Sequence, residues 1–216
     1  MIDSLSYVDV VEGLRRMADD VTAQADLLRE LDAAIGDGDL GITVTIGFEA
    51  VVEGLPTADD TVASGDIAGT ILKAGMAFSR KAASTFGALF ATMLMRAARV
   101  AKGKSEIDLA TLAEMFAAAA DGVRERGKSQ VGDKTLLDAL VPAAQALVEA
   151  AAEGATLATG LQHAAAAADD GARATVAMKS KIGRASWFAD RTEGVQDPGA
   201  TAVSLMIHSL ASFVLG

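Results

Sequence analysis

The sequence predicts an all-α fold: a single domain over residues 1–216, built as an eight-helix antiparallel up-and-down barrel or bundle. Composition is the first sign, since 51% of the residues are apolar but only 4% are aromatic, and alanine fills long stretches. That balance suits closely packed helices better than sheets. Only 3 prolines interrupt the chain. Apolar residues also recur at intervals of three, four or seven, and no run alternates convincingly like a strand.

The elements follow in order. Leu5, Val8, Val11, Leu14, Met17, Val21, Leu28 and Leu31 form one apolar stripe that runs into an acidic turn. A second helix is expected over about 41–53, closed by Gly54 and Pro56, and a third over about 61–78. The fourth, about 84–100, carries almost no charge before Arg96 and should be enclosed on most sides. Others are expected near 108–126, 134–153, 157–179 and 199–214, with Gly, Asp and Pro in the gaps. Short links between long helices favour antiparallel neighbours. Pro142 lies inside the sixth helix and should kink or break it. Residues 198–216 carry no formal charge and approach the length of a membrane span. Their Thr201, Ser204, His208, Ser209 and Ser212 point instead to a buried core helix.

Charge and composition narrow the function. A net charge of −10 argues against a nucleic-acid backbone as partner, because counterion release needs clustered Lys and Arg. Without cysteine, neither disulfides nor thiolate metal sites are available. Asp3, Asp9, Glu12, Arg15 and Arg16 rule out a secretory apolar segment at the start. A cytoplasmic protein with no membrane span is expected.

The chemistry concentrates between Leu31 and Gly41, where Asp32, Asp37 and Asp39 stand with Gly36, Gly38 and Gly41 at a helix end. Grouped carboxylates repel unless a cation sits between them, and Mg²⁺ is usually held by a few carboxylates plus substrate phosphates. The glycines spell G-x-G-x-x-G, but a dinucleotide site needs a preceding strand, and here a helix precedes. An EF-hand from Asp37 fails as well, with Ile42 and Phe48 at its sixth and twelfth positions. The plainer alternative is an Asp-rich helix cap.

Three further segments have the look of a phosphate site. Residues 127–135 (Gly-Lys-Ser-Gln-Val-Gly-Asp-Lys-Thr) open a helix, whose N-terminus offers backbone N–H groups. Gly183 to Ser186 (Gly-Arg-Ala-Ser) sits among Lys179, Lys181, Arg184 and Arg191. Gln196 to Ala200 (Gln-Asp-Pro-Gly-Ala) starts the last helix with a rigid turn. His163 and His208 read as packing or surface residues, while Trp187 has either a core role or a place over a nucleotide.

Taken together and in this order, Leu31–Asp39, Gly132–Thr135, Gly183–Ser186 and Gln196–Ala200 resemble the L subunit of dihydroxyacetone kinases, the DhaL or DAK2 nucleotide-binding family, over nearly the whole chain. The resemblance implies a helical barrel with its active site at one end. It implies that Asp32, Asp37 and Asp39 hold two Mg²⁺ ions, which bridge the phosphates of ADP or ATP, and that Arg184 joins them in catalysis by steadying the phosphates. Leu40, Gly41, Ile42 and Thr43 would begin the nucleotide contacts, Gly127 and Leu136 would flank the adenine, and Asp197, Pro198 and Gly199 would add further contacts. The family's phosphate loop, Gly-Gly-Ala-Ser-Gly, reads Ala83-Ser84-Thr85-Phe86-Gly87 here, which puts Ser84, Thr85 and Phe86 at its nucleotide positions. Leu40 and Val195 each stand where the family commonly has His.

The implied activity is phosphoryl transfer to a hydroxyl of a short ketose such as dihydroxyacetone, in glycerone metabolism. No convincing substrate pocket or general base appears in this chain, so a ketone-binding K subunit is the implied partner. The donor is free ATP, or ADP recharged by a phosphotransferase-system protein, and the assembly is a homodimer or hetero-oligomer. Alternatives are a kinase for another acceptor, such as erythrulose or a carrier-bound fatty acid, and a nucleotide-binding regulatory subunit without catalysis.

Overall fold

The computed structural model describes residues 3–57 and 65–216, and of Arg184 and Phe188 it describes the backbone alone. Ten α-helices appear among the described residues: α1 (Tyr7–Thr22), α2 (Ala25–Ile35), α3 (Leu40–Gly54), α4 (Ile67–Lys81), α5 (Thr85–Val100), α6 (Leu109–Gly127), α7 (Leu137–Ala152), α8 (Leu157–Ala174), α9 (Ala189–Thr192) and α10 (Pro198–Leu215). Two 3-10 turns, Thr175–Ala177 and Arg184–Phe188, lie between α8 and α9. The chain forms no sheet there, only an isolated antiparallel bridge between Leu5 and Ile107.

Caps explain where most helices begin. Ser6 starts α1 with a capping box, accepting from the Asp9 amide while Asp9 accepts from the Ser6 amide. Asp66, Ser84, Asp108, Thr156 and Asp197 each accept from the amide three residues on, at the heads of α4, α5, α6, α8 and α10. Such caps contribute roughly 1 kcal/mol each.

Three expectations are corrected. The stripe from Leu5 to Leu31 is two helices, with a break at Ala23–Gln24. Val21 and Leu28 keep a seven-residue interval across that break, so periodicity alone does not reveal it. The third helix begins at Ile67 behind its Asp66 cap, and the start expected at 61–64 lies outside the described residues. Pro142 does not break α7, which runs unbroken over Leu137–Ala152. Proline has no N–H, so the Asp138 carbonyl lacks its i+4 donor. Gly171 of α8 packs directly on that carbonyl, so close that a Cβ would sit 1.9 Å from the oxygen.

Eight helices close a ring in which each packs on the next: α1, α3, α4, α5, α6, α7, α8, α10 and back to α1. The additional helix α2 packs on α3 and α10. One continuous apolar core joins all the ring members, centred on fully buried side chains such as Phe48, Phe78, Leu137, Leu147 and Leu161. Phe48 meets Phe78 edge-on at 5.3 Å between ring centroids, and Phe90 completes the cluster at 4.6 Å from Phe78. Each such ring contributes roughly 1.5–3 kcal/mol by burial. An apolar cavity of about 140 Å³ remains inside the ring, bounded by Leu14, Met17, Phe90, Met115, Leu140 and Met206. Helix α10 is long and apolar enough to cross a membrane, but most of it is buried against α1, α7 and α8, as a core helix is.

Candidate metal and nucleotide site

Ring neighbours joined by short connections put alternate connections at the same end. Residues 36–39, 82–84, 128–136 and 175–197 therefore gather at one end of the ring. All four motif segments belong to these connections or the helix ends beside them. Cross-contacts tie three of them together. A Cβ on Gly199 would touch Leu136, the Lys181 amide donates to the Asp133 carbonyl at 3.1 Å, and Trp187 and Arg191 line a groove with Ala33–Asp37.

The acidic turn joins α2 to α3. Carboxylate oxygens of Asp32, Asp37 and Asp39 all lie within 4.8 Å of one another. Asp32 sits on the last turn of α2 and accepts the Leu40 amide at 3.1 Å, which links the two helices. Gly36 leaves room for that carboxylate, since a Cβ there would lie 2.6 Å from Asp32 Oδ1. Gly38 turns the chain at φ 74°, a left-handed conformation that favours glycine. Asp39 occupies the N-cap of α3, yet its side chain makes no capping hydrogen bond. The plain-cap reading therefore fails at Asp39. Burial raises the Asp32 carboxyl above the ordinary range, against the Leu40 and Asp39 amides that lower it, and the charges of Asp37 and Asp39 add to the rise.

These residues fit a hard divalent cation. The donors are all carboxylate oxygens, and Mg²⁺ at about 2.0–2.1 Å from each ligand places adjacent ligands about 2.9 Å and opposite ligands about 4.2 Å apart, so shifts of about 1 Å per side chain suffice. The head of α3 adds anion-binding capacity. Thr43 N–H bonds the Asp39 carbonyl, but the amides of Gly41 and Ile42 have no carbonyl a turn back to receive them.

The other predicted nucleotide residues divide. Ile42 is 61% exposed beside the turn, whereas Leu40 and Thr43 are buried. Gly41 lets α2 cross α3, because a Cβ would lie 2.2 Å from the Ala25 carbonyl oxygen. Ser84 Oγ caps α5 through Gly87 N–H at 3.0 Å, and exposed Thr85 follows it. Phe86 stacks on Phe90 and packs toward the core instead of presenting a hydroxyl. Gly127 ends α6 beside Leu89, and Leu136 is buried at the head of α7. Pro198 takes the first turn of α10 and Gly199 rests on Leu136. The Arg184 side chain lies outside the description, and its backbone opens a 3-10 turn after Gly183.

Asp197 turns inward. Its carboxylate accepts from Ala200 N–H at 2.7 Å, and burial pushes its pKa up to about 7 despite that bond. Trp187 is 77% exposed, which excludes a core role. His163 is exposed and His208 meets Asp169 at 3.1 Å, so neither belongs to the site.

Sequence reasoning missed the inward face of residues 128–138. Asp133 accepts from Gln130 N–H at 2.9 Å, and Asp138 accepts from Gly132 and Thr135 N–H at 2.6 and 2.7 Å. Lys134 is 2% exposed and points into the protein. Burial lowers its pKa, while the charges of Asp197 and Glu193 oppose that shift. The sequence offered this segment for the N–H groups of a helix start and gave Lys134 no role; its burial and its left-handed backbone are visible only in the folded chain.

The DAK2 domain family matches residues 34–212 of this chain. The chain belongs to that family. It is 36% identical over 208 residues to the ADP-binding subunit DhaL of the PEP-dependent dihydroxyacetone kinase of Escherichia coli (strain K12), covering 96% of this chain and 97% of the relative. It is 31% identical to the corresponding subunit of the PEP-dependent dihydroxyacetone kinase 2 of Listeria innocua, over 96% of this chain and 94% of that one. A D-erythrulose kinase of Mycolicibacterium smegmatis matches 95% of this chain at 31% identity, but this chain spans only 35% of it. In fold, the chain resembles the crystal structure of the dihydroxyacetone kinase from C. freundii in complex with AMP-PNP and Mg²⁺, with a TM-score of 0.71 at 22% identity. That match covers 94% of this chain and 33% of the other.

Proposed function

We propose that this chain is the nucleotide-binding subunit of a Mg²⁺-dependent kinase that phosphorylates a short ketose of the dihydroxyacetone type, working in the cytoplasm with a ketone-binding K subunit. The observation that carries the reading is the convergence of Asp32, Asp37 and Asp39 within 4.8 Å at the α2–α3 junction, with the α3 N-cap carboxylate left out of capping. The 36% identity to an ADP-binding subunit, over 97% of that relative, supports it.

In this reading Asp32, Asp37 and Asp39 would hold a pair of Mg²⁺ ions. When bound, Mg²⁺ neutralises charge on the phosphate oxygens, which is most of what phosphoryl transfer asks of its catalyst. The Gly41 and Ile42 amides receive a phosphate oxygen at the head of α3. Gly127, Leu136 and Gly199 would lie beside the base, and Arg184 would add a contact to the phosphates. Phe86 is committed to packing, while Ser84, whose Oγ accepts the Gly87 N–H and keeps its own O–H, and Thr85 are the hydroxyls left to that loop.

ADP acts as a resident group recharged by a phosphotransferase-system protein; both DhaL relatives are named as ADP-binding subunits of PEP-dependent kinases. Erythrulose is the second acceptor to test, given the erythrulose kinase relative. The purified chain is mixed with a K subunit, Mg²⁺ and each ketose, with either ATP alone or a PEP-fed donor system. Turnover is expected only with the PEP-fed system. Turnover with ATP alone replaces the recharging route. Asp37→Asn should cut metal-dependent turnover by about 100-fold or more without unfolding the chain. Unchanged partner activity in that variant leaves the regulatory-subunit reading standing instead.

A further inference from the structure

Lys134 is not used by the chemistry above, yet its environment is built around it. Its ammonium donates to four backbone carbonyls: Thr175 at 2.8 Å, Met178 at 3.1 Å, Val195 at 2.6 Å, and Thr192. An ammonium has three N–H groups, so the acceptors more than saturate it. The acceptors fall at the two ends of one connection, 175–178 and 192–195. Everything between them, including Gly183–Ser186, Trp187 and Arg191, is a loop whose ends meet on one nitrogen.

Other contacts agree with a pinned loop. Gly194 N–H donates to the Val176 carbonyl at 2.8 Å, and Ser180 N–H donates to Thr192 Oγ1 at 2.9 Å. Lys181 bonds back to Asp133, next to Lys134 in sequence. The far side of the loop faces the acidic turn, where Trp187, Arg191 and Thr192 form a groove with Ala33–Asp37. The backbone adds an independent sign. Lys134 has φ 60°, a left-handed conformation that costs a lysine energy and a glycine almost none. A side chain kept at such a position is there for its contacts.

The geometry points to Lys134 as a positioning residue: by tying both ends of the 175–197 connection to the head of α7, it holds Trp187 and Arg191 over the acidic turn and so sets nucleotide affinity without touching the metal. This rests on the nucleotide-binding reading above.

Lys134→Met keeps the length of the side chain and removes the ammonium. By isothermal titration on the full chain, Mg-ADP is expected to bind the folded variant about 10-fold more weakly, with Mn²⁺ alone held within about twofold of wild type. A general loss of structure would weaken both together. Equal Mg-ADP affinity in the folded variant overturns the inference and leaves the nucleotide reading intact. If wild type itself does not bind Mg-ADP, the nucleotide reading falls, and hydrogen exchange then decides the pin alone. The same measurement decides if Lys134→Met and the backbone-relaxing Lys134→Gly both fail to fold. In wild type the amides of Ser180, Lys181 and Gly194 should exchange at least about 100-fold more slowly than free peptide. Free-peptide rates there overturn the pin.

Discussion

Asp39 and Asp197 are both N-cap aspartates in glycine-containing motifs, and the structure treats them oppositely. Asp39 makes no capping bond and joins the acidic cluster, while Asp197 caps α10 and is buried. The carboxyl of Asp197, at about 7, holds its proton more tightly in the folded than in the unfolded chain, where 3.8 is the reference. Folding stability from this group is therefore greatest in acid, falls as pH rises from about 4 through about 7, and is flat above. Asp197→Asn keeps an acceptor for Ala200 N–H and removes the charge. Urea unfolding from about pH 5 to about pH 8 should show wild type losing stability relative to the variant. Parallel profiles would mean that Asp197 does not titrate between these pH values. The sequence marked both aspartates as site residues because type and spacing are all it records; the direction of each carboxylate depends on what packs behind it.

The α2–α3 pair is the element on which the site depends. Asp32 is supplied by one helix and Asp39 by the head of the other, so their crossing distance sets the carboxylate separation. Gly41 is what lets the helices approach, with the Ala25 carbonyl oxygen 2.2 Å and Arg29 Cβ 2.9 Å from where a Cβ would stand. Backbone cannot swing aside as a long side chain does. Gly41→Ala should cost about 1–3 kcal/mol in chemical unfolding and weaken Mn²⁺ binding in the same variant. Gly54→Ala, at the other end of α3 with nothing within 4 Å, is the control and should change stability by no more than about 0.5 kcal/mol. Lost stability with unchanged metal affinity would show that the crossing does not set the cluster. At this scale the sequence read the helices well and their ends less well. Apolar periodicity is local and survived intact, but the Ala23–Gln24 break preserves it and so stays invisible. Pro142 is the converse case, a strong local breaker inside a helix that runs unbroken, with Gly171 of α8 packed on the freed carbonyl.

Over the whole molecule, the ring places four connections at one end and a single tryptophan among them. Trp187 is 77% exposed in the groove beside Asp37, distant in sequence from every carboxylate of the cluster. Its emission is thus an intrinsic reporter of that end. Adding Mg-ADP, and then a K subunit, should shift Trp187 fluorescence to shorter wavelength and reduce acrylamide quenching as water leaves the indole. Unchanged emission at saturating Mg-ADP and K subunit would place both ligands away from this groove.

The sequence by itself determined the helical class, the approximate helix positions, the family and the three carboxylates, Asp32, Asp37 and Asp39, that the fold brings within 4.8 Å of one another. Those follow from composition, 3.6-residue periodicity and short motifs, all of which are local. Only the tertiary structure decided that α2 is an additional helix packed on α3 and α10 beside the ring of eight, that the Asp39 side chain stays out of capping while Asp197 is buried as a cap, and that Lys134 points inward to bind four carbonyls of a distant loop. Those outcomes turn on burial and long-range hydrogen bonding, which arise only when segments far apart in the chain compete for the same space and the same polar partners.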